Sequence, residues 1–382
     1  MNRKSQSGLE LANKSPKIST APSHWSACYT HRECTLHQLS PYIGKLKSVI
    51  ARDLILEYSK PGQLVADMFC GSGTVPLEAA LLGRKVFAAD NSEYAITLTR
   101  GKLYAPACQE LAARTLNQLL DCAKDLPFPD LRRVPGWVRE FFHAQTLKEA
   151  LRLTRFLREK EQDFLLGSML GILHHQRPGF LSYPSSHLVP YLRSRKFPKS
   201  DFPSLYDYRP VEPRLRAKVQ RALRRAPRKS IDHLISDIRL CSVRSLVLPD
   251  HIDCVITSPP YMNALDYRRD NRLRLWFLDE SPKVTDDKSL ATPAAFEQLT
   301  KALAEQLSEK VRKGGACIFI VGEKTFRGGK GFPSEILLQS FQGQSSTFRL
   351  EKYMTDIIPD IRRSRRHLSG VKREDILVFR KH

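Results

Sequence analysis

Two short runs in this chain of 382 residues have the types and spacing to act on a bound small molecule. Asp67-Met-Phe-Cys-Gly-Ser-Gly-Thr74 continues an apolar run, LVADMF, that reads as a buried strand. Glycines after a strand let the backbone approach a ligand closely, at the crevice where open α/β sheets bind small molecules. A G-x-G-x-x-G nicotinamide site is disfavoured, because its third glycine would fall at position 76, which is proline. Asp90 ends the next apolar run, KVFAAD, where a carboxylate can accept hydrogen bonds from two ribose hydroxyls. Loop and carboxylate together point to a nucleoside-type cofactor; the alternative is a glycine turn with no ligand. The second run is Ser258-Pro259-Pro260-Tyr261, directly after the apolar residues Ile252 to Ile256. A double proline stiffens the chain in an extended form and removes two N–H donors, leaving carbonyls that can face a ligand. In isolation it could equally be a rigid surface turn.

These runs need elements to hold them. Ile43, Leu46, Val49, Ile50, Leu54 and Ile55 predict a helix from Tyr42 to Tyr58 that stops at Pro61-Gly62. LVADMF as a strand, CGSGT as a turn, VPLEAALLG as a helix and KVFAAD as a second strand form half of a doubly wound sheet. From about residue 103 to 230 that alternation is interrupted by helical patterns, including Leu147 to Leu173, and by the irregular stretch RPGFLSYPSSHLVPYL. Strand and helix signals resume at HLISD (233–237), HIDCVITSPPY (251–261), GACIFIVG (315–322) and EDILVFRK (374–381). The first 20 or so residues, rich in Ser, Lys and Asn, predict a flexible leader.

The composition, 41% apolar and 27% charged, is that of a globular protein with a real core. Lysine and arginine total 62 against 40 acids, a net charge of +22, so the leading partner is a polyanion, nucleic acid first. No window approaches 18 consecutive apolar residues and the start lacks an apolar signal core, which predicts a cytoplasmic protein with no membrane partner. Eight scattered cysteines without a C-x-x-C pair predict reduced thiols. Cys28, His31, Cys34 and His37 recur every third residue and could gather a zinc ion, but metal sites usually join two separated ligand pairs, so no metal is expected.

Taken together, these residues resemble the amino-methylating DNA methyltransferases, the N4-cytosine and N6-adenine branch that uses S-adenosylmethionine. His37-Gln-Leu-Ser-Pro41-Tyr42-Ile-Gly-Lys45 resembles the family segment that packs against the methionine part of the cofactor. Asp67 to Thr74 resembles the cofactor loop, and Ala89-Asp90-Asn91 the ribose-binding turn. Asp237, in Ser-Asp-Ile-Arg, falls where the family holds the adenine amino group. The resemblance covers residues 37–103 and 231–382 and implies a Rossmann-like class I methyltransferase sheet with a mainly helical insertion. The implied organisation is a leader (1–25), a catalytic domain (26–103 and 231–382) and an inserted segment (104–230) for DNA binding or target recognition. Implied cofactor contacts are Tyr42, Lys45, Asp67, Phe69, Cys70, Gly71, Ser72, Gly73, Thr74, Asp90, Asn91 and Asp237; Ser258, Pro259, Pro260 and Tyr261 would be catalytic.

The chemistry has a physical account. An exocyclic base amine is a poor nucleophile because its lone pair is delocalised into the ring. The Ser258 hydroxyl and Pro259 carbonyl can accept its two hydrogens and favour a pyramidal nitrogen, while Tyr261 stacks on the base. Positioning and preorganised dipoles then suffice without a covalent intermediate. Methylation at cytosine C5 would need a Pro-Cys nucleophile, and the sequence has no Pro-Cys dipeptide. A base in a DNA duplex must be flipped out, with backbone contacts offsetting the cost. Between Arg193 and Lys229 stand 13 basic residues and three acids, interleaved with Phe197, Phe202, Tyr206 and Tyr208. Arg221, Arg224 and Arg225 would share one helix face along the phosphates. Arg362 and Arg363 would add a basic loop. The expected activity is N4-cytosine methylation of double-stranded DNA, because serine opens the Pro-Pro-Tyr motif. N6-adenine or RNA methylation and a non-catalytic DNA-binding module are the alternatives, and a partnering restriction endonuclease is possible.

Overall fold

A computed structural model of the chain describes residues 18–26, 33–175, 180–183, 197–260, 267–279, 292–322, 332–343, 347–358 and 373–382. Its strands are β1 (Ile18–Thr20), β2 (Leu64–Asp67), β3 (Lys85–Asp90), β4 (Ile235–Leu240), β5 (Ile252–Thr257), β6 (Val311–Gly322), β7 (Phe348–Ile357) and β8 (Arg373–Lys381). They form one sheet in the order β1-β7-β8-β6-β5-β2-β3-β4, parallel except that β8 runs against both its neighbours. This is the expected Rossmann-like sheet. The chain steps outward from β2 through β3 to β4, then returns to the other side of β2 with β5. The carboxyl ends of β2 and β5 therefore flank a topological switch point, where open α/β sheets bind ligands.

Both faces of the sheet are covered, so its central strands are apolar throughout. Ala66, Phe87, Val255 and Phe319 face one side, with helices Pro293–Lys310 and Pro333–Phe341 packed on it. Val65, Val86, Cys254 and Ile318 face the other, under α1 (Ser48–Tyr58), α2 (Thr74–Leu81) and α3 (Glu93–Leu103). The helix expected from Tyr42 begins only at Ser48; before it the chain turns at Gly44, whose φ is +76°. Residues 18–25, expected within the flexible leader, are instead built in: β1 pairs with β7, and Trp25 is buried with its indole N–H on Asp53.

The inserted helices α4 (Gln109–Lys124), α5 (Gly136–Arg139), α6 (Ala144–Glu159), α7 (Asp163–Leu173) and α8 (Val211–Leu223) share one apolar core with Tyr94 and Leu98 of α3. The stretch read as one helical pattern from Leu147 to Leu173 is thus two helices, parted where Glu161 adopts a φ of +50°. α7 runs antiparallel to α3. A Cβ on Gly101 would meet the Asp163 carbonyl, one on Gly167 would meet Leu98, and the far end of α7 lies near Tyr94 through Arg274. Two further helices, α9 (Tyr267–Asp270) and α10 (Arg272–Asp279), follow the second motif, and α10 buries Leu273, Trp276 and Phe277 in the same core. Among the described residues no helix is long and apolar enough to cross a membrane.

Candidate active site

At the carboxyl end of β2 the chain makes a tight loop. Gly71 and Gly73 adopt left-handed backbone angles, φ +48° and +71°, which glycine alone adopts without cost. A Cβ on Gly73 would come within 2.7 Å of the Thr99 hydroxyl and 2.9 Å of its Cα, so α3 sits directly against the loop. Lys102, one turn further along α3 and buried, donates from Nζ to the Ser72 carbonyl. Burial, reinforced by the charge of Lys45, pushes this amine down to about 7. Lys45 in turn donates to the His37 carbonyl at 2.9 Å, and burial lowers its pKa as well.

Asp90 fixes the other wall. One carboxylate oxygen accepts from the Gly71 N–H and the other from the Ser92 N–H, both at 2.9 Å. These two amides fix the orientation of the carboxylate at the strand end. Tyr42 stacks on Tyr94 at 5.7 Å, and its ring approaches the position of a Gly71 Cβ at 3.4 Å, so any larger residue at 71 would press on it.

The two motifs meet through Thr257. Its hydroxyl donates to Asp67 at 2.7 Å, and both Thr257 and Asp67 accept from the Phe69 N–H at 3.2 Å. Asp67 is buried, and desolvation lifts its pKa to about 7 despite these hydrogen bonds. Ser258, the next residue, donates its hydroxyl proton to the Ile320 carbonyl of β6 at 3.0 Å. With its proton given to Ile320, the serine oxygen can act toward a substrate only as an acceptor. Pro259 is buried and Pro260 half-buried. Tyr261 lies outside the described residues, as do Arg362, Arg363, Cys28 and His31.

Other expected residues sit differently. Asp237 pairs in register with Phe87, three residues before Asp90 reaches the strand end, which is about 10 Å back along the sheet. Its carboxylate holds Arg239 at 2.5 Å. The tip of that strand beside Asp90 is formed by Cys241, whose N–H bonds the Asp90 carbonyl, followed by Ser242. The structure therefore does not bring Asp237 together with the loop, because β4 runs three residues further than HLISD indicated. α8 ends at Leu223, so Arg221, Arg224 and Arg225 do not continue as one helix face. Arg225 turns inward, its Nε donating to the Glu33 carbonyl and its N–H to Thr35, whereas Arg221 and Arg224 are exposed. His37 donates to Glu78 at 2.7 Å inside the core, and burial lowers its pKa. Burial pushes the Cys34 thiol up to about 11. Among the described residues no three metal-ligating side chains cluster. At the end of α7 the Arg274 guanidinium bonds the Leu170 and His174 carbonyls.

Residues 26–100, which include the loop and Asp90, match the N6/N4 methyltransferase family model, described as DNA methylase. No curated protein matches the chain. Among solved structures, TrmN from Thermus thermophilus aligns over 92% of this chain and 53% of its own length, with 13% identity and a TM-score of 0.37. The chain thus spans about half of TrmN. The rRNA methyltransferase aviRa from Streptomyces viridochromogenes aligns over 94% and 93% with 14% identity and a TM-score of 0.31. The Streptococcus mutans protein SMU.1697c, solved with SAH, aligns over 88% and 99% with 10% identity and a TM-score of 0.33. Similarity at this level carries no functional weight, which rests on the residues of the crevice.

Proposed function

We propose that this chain is an S-adenosylmethionine-dependent DNA amino-methyltransferase acting on the exocyclic N4 of cytosine. The DNA methylase match over residues 26–100 supports the reaction class. The observation that carries the reading is the join between the motifs: Thr257 ties the β2 tip to the β5 tip, and the next residue presents a serine oxygen whose proton is given to Ile320. The residues proposed for the cofactor and those proposed for the amine therefore stand at neighbouring strand tips.

The fit to the cofactor rests on the loop. Two left-handed glycines let backbone come close to a ligand, and Asp90, held in orientation by two amides, stands at the strand end where a carboxylate can accept from ribose hydroxyls. When bound, S-adenosylmethionine supplies an electrophilic methyl group. Tyr42, Gly71, Ser72, Gly73, Asp90 and Asn91 would hold it. The Ser258 oxygen and the Pro259 carbonyl accept the amine hydrogens and oppose delocalisation of the nitrogen lone pair. Tyr261 would stack on the base, and preorganised acceptors would replace water around the reacting nitrogen. Arg221 and Arg224 are candidate phosphate contacts by their exposure. Serine before Pro-Pro-Tyr is the reason for placing cytosine ahead of adenine.

The test supplies labelled S-adenosylmethionine with duplex DNA, structured RNA or neither, followed by nucleoside mass spectrometry. N4-methylcytosine in DNA is the expected product. N6-methyladenine would change the base but keep the mechanism; label in RNA alone would refute DNA as the substrate, and no transfer would refute the enzyme.

A further inference from the structure

A phosphate-binding surface need not come from the run between Arg193 and Lys229, because a second basic surface stands on the helices that follow the Pro-Pro motif in sequence. Pro260 and the start of α9 are seven residues apart, a span of at most about 25 Å. α10 then begins with Arg272, which is exposed, and its guanidinium lies 3.9 Å above the centre of the Trp137 ring. Trp137 is itself fixed by edge contacts to Trp276 at 6.4 Å and Phe141 at 6.3 Å. A stacked guanidinium keeps its in-plane N–H groups for an outside acceptor, and its fork matches phosphate oxygens. On the same short segment as Trp137, Arg133 and Arg139 are exposed, whereas Arg132 is held by Asp130 at 2.9 Å.

This surface lies at the correct end of the molecule. α3 starts beyond the carboxyl end of β3, and α7 runs back antiparallel to it, so the end of α7 returns to the carboxyl edge of the sheet. Arg274 of α10 bonds the Leu170 and His174 carbonyls there and lies over Tyr94, the residue on which Tyr42 stacks. His174 in turn meets Phe141, four residues after Trp137. A chain of contacts thus runs from the cofactor loop through Tyr42, Tyr94 and Arg274 to the Trp137–Arg272 pair.

We propose that Arg272, stacked on Trp137 and helped by the exposed Arg133 and Arg139 of the Trp137 segment, is the clamp that holds the DNA backbone beside the catalytic crevice. The proposal deepens the methyltransferase reading and rests on it. Residues 130–140 and 267–275 carry three acids, Asp130, Glu140 and Asp270, against seven arginines.

The experiment uses the full chain. Duplex binding is measured against salt concentration for wild type, Arg272→Ala and the pair Arg272→Ala/Arg139→Ala, with methyl transfer and cofactor affinity measured in parallel. Each phosphate that the protein no longer neutralises lowers the magnitude of the log K against log salt slope by about 0.9, so the single change is expected to lower it by about 0.9 and the pair by about 1.8. The KM for DNA should rise several-fold while cofactor affinity stays unchanged. Arg272→Lys, which keeps the charge but not the planar fork, should recover the slope more fully than the KM. If wild type methylates DNA and the variants keep its slope and KM, the clamp is wrong and the enzyme reading stands. If wild type neither binds nor methylates DNA, both fall. A slope change seen with RNA alone would overturn DNA as the occupant.

Discussion

Replacing Lys102 with methionine separates the electrostatics of the loop's support from its hydrogen bond. The amine is buried in α3 and donates to the Ser72 carbonyl, with Lys45, Cys34, Glu33 and Cys70 as its charged or titratable neighbours. Its pKa falls from 10.5 to about 7, first through burial and then through Lys45. At about 1.4 kcal/mol per unit, holding this ammonium in the fold costs on the order of 5 kcal/mol below pH 7. Between pH 7 and 10.5 the unfolded chain binds the proton and the folded chain does not, so stability rises with pH across that window. The rise from pH 7 to 9 amounts to about 2 kcal/mol. A neutral amine still donates to Ser72, so Lys102→Met also removes a hydrogen bond at every pH, a constant loss of about 1 to 3 kcal/mol. Urea unfolding of both proteins at pH 7, 8 and 9 should show the stability difference moving by about 2 kcal/mol in favour of wild type. Buried thiols and phenols that titrate at the upper end cancel in the comparison. Parallel stability curves would refute a depressed Lys102.

Asp90→Ala should weaken S-adenosylmethionine binding at least tenfold, about 1.4 kcal/mol, since it removes the ribose acceptor and frees the Gly71 and Ser92 amides; unchanged calorimetric affinity in a folded variant would take Asp90 out of the site. Ser258→Ala should lower the single-turnover methyl-transfer rate far more than cofactor affinity, and equal loss in both would show that Ser258 serves the loop rather than the amine. Gly73→Ala should lower thermal stability and abolish cofactor binding, because its new Cβ meets the Thr99 backbone at 2.9 Å in a left-handed conformation; a stable variant with wild-type affinity would mean the loop can move away from α3.

The central strands and the loop are legible because their signals are local. KVFAAD matches β3 residue for residue, and the glycines that the loop needs stand in the sequence between Asp67 and Thr74. Thr257 escapes a reading of the sequence although it directly precedes Ser258: its role depends on Asp67, 190 residues away in sequence, and only strand pairing brings the two together. Lys102 is invisible for a similar reason, since a lysine on an apolar helix face normally reads as one that snorkels to water. Asp237 is misplaced by a boundary; HLISD reads as a strand ending at its aspartate, whereas β4 continues to Leu240. The arginines at 221, 224 and 225 have helical spacing, but spacing does not say where a helix stops, and hydrogen bonds from Thr35 and Arg225 fold the chain inward just after Leu223.

The joining of the insertion to the sheet has a mechanical consequence for the site. Leu39 lies in a groove made by the small residues of α7: a Cβ on Gly171 would come within 2.3 Å of the Leu39 carbonyl, and one on Gly167 within 2.9 Å of its side chain. Lys218 of α8 donates to the neighbouring Gln38 carbonyl at 2.6 Å, and Thr35 donates to the Ala222 carbonyl at 2.7 Å. Only three residues beyond Leu39, Tyr42 reaches Gly71 of the cofactor loop. The segment 35–42 is therefore gripped by the insertion at one end and applied to the cofactor loop at the other. Close-packed contacts of this kind transmit displacement rather than absorb it. A movement of α7 or α10 when the proposed Arg272 clamp meets DNA would consequently reach the loop through Leu39 and Tyr42, linking the surface that holds the substrate to the residues that would hold the methyl donor.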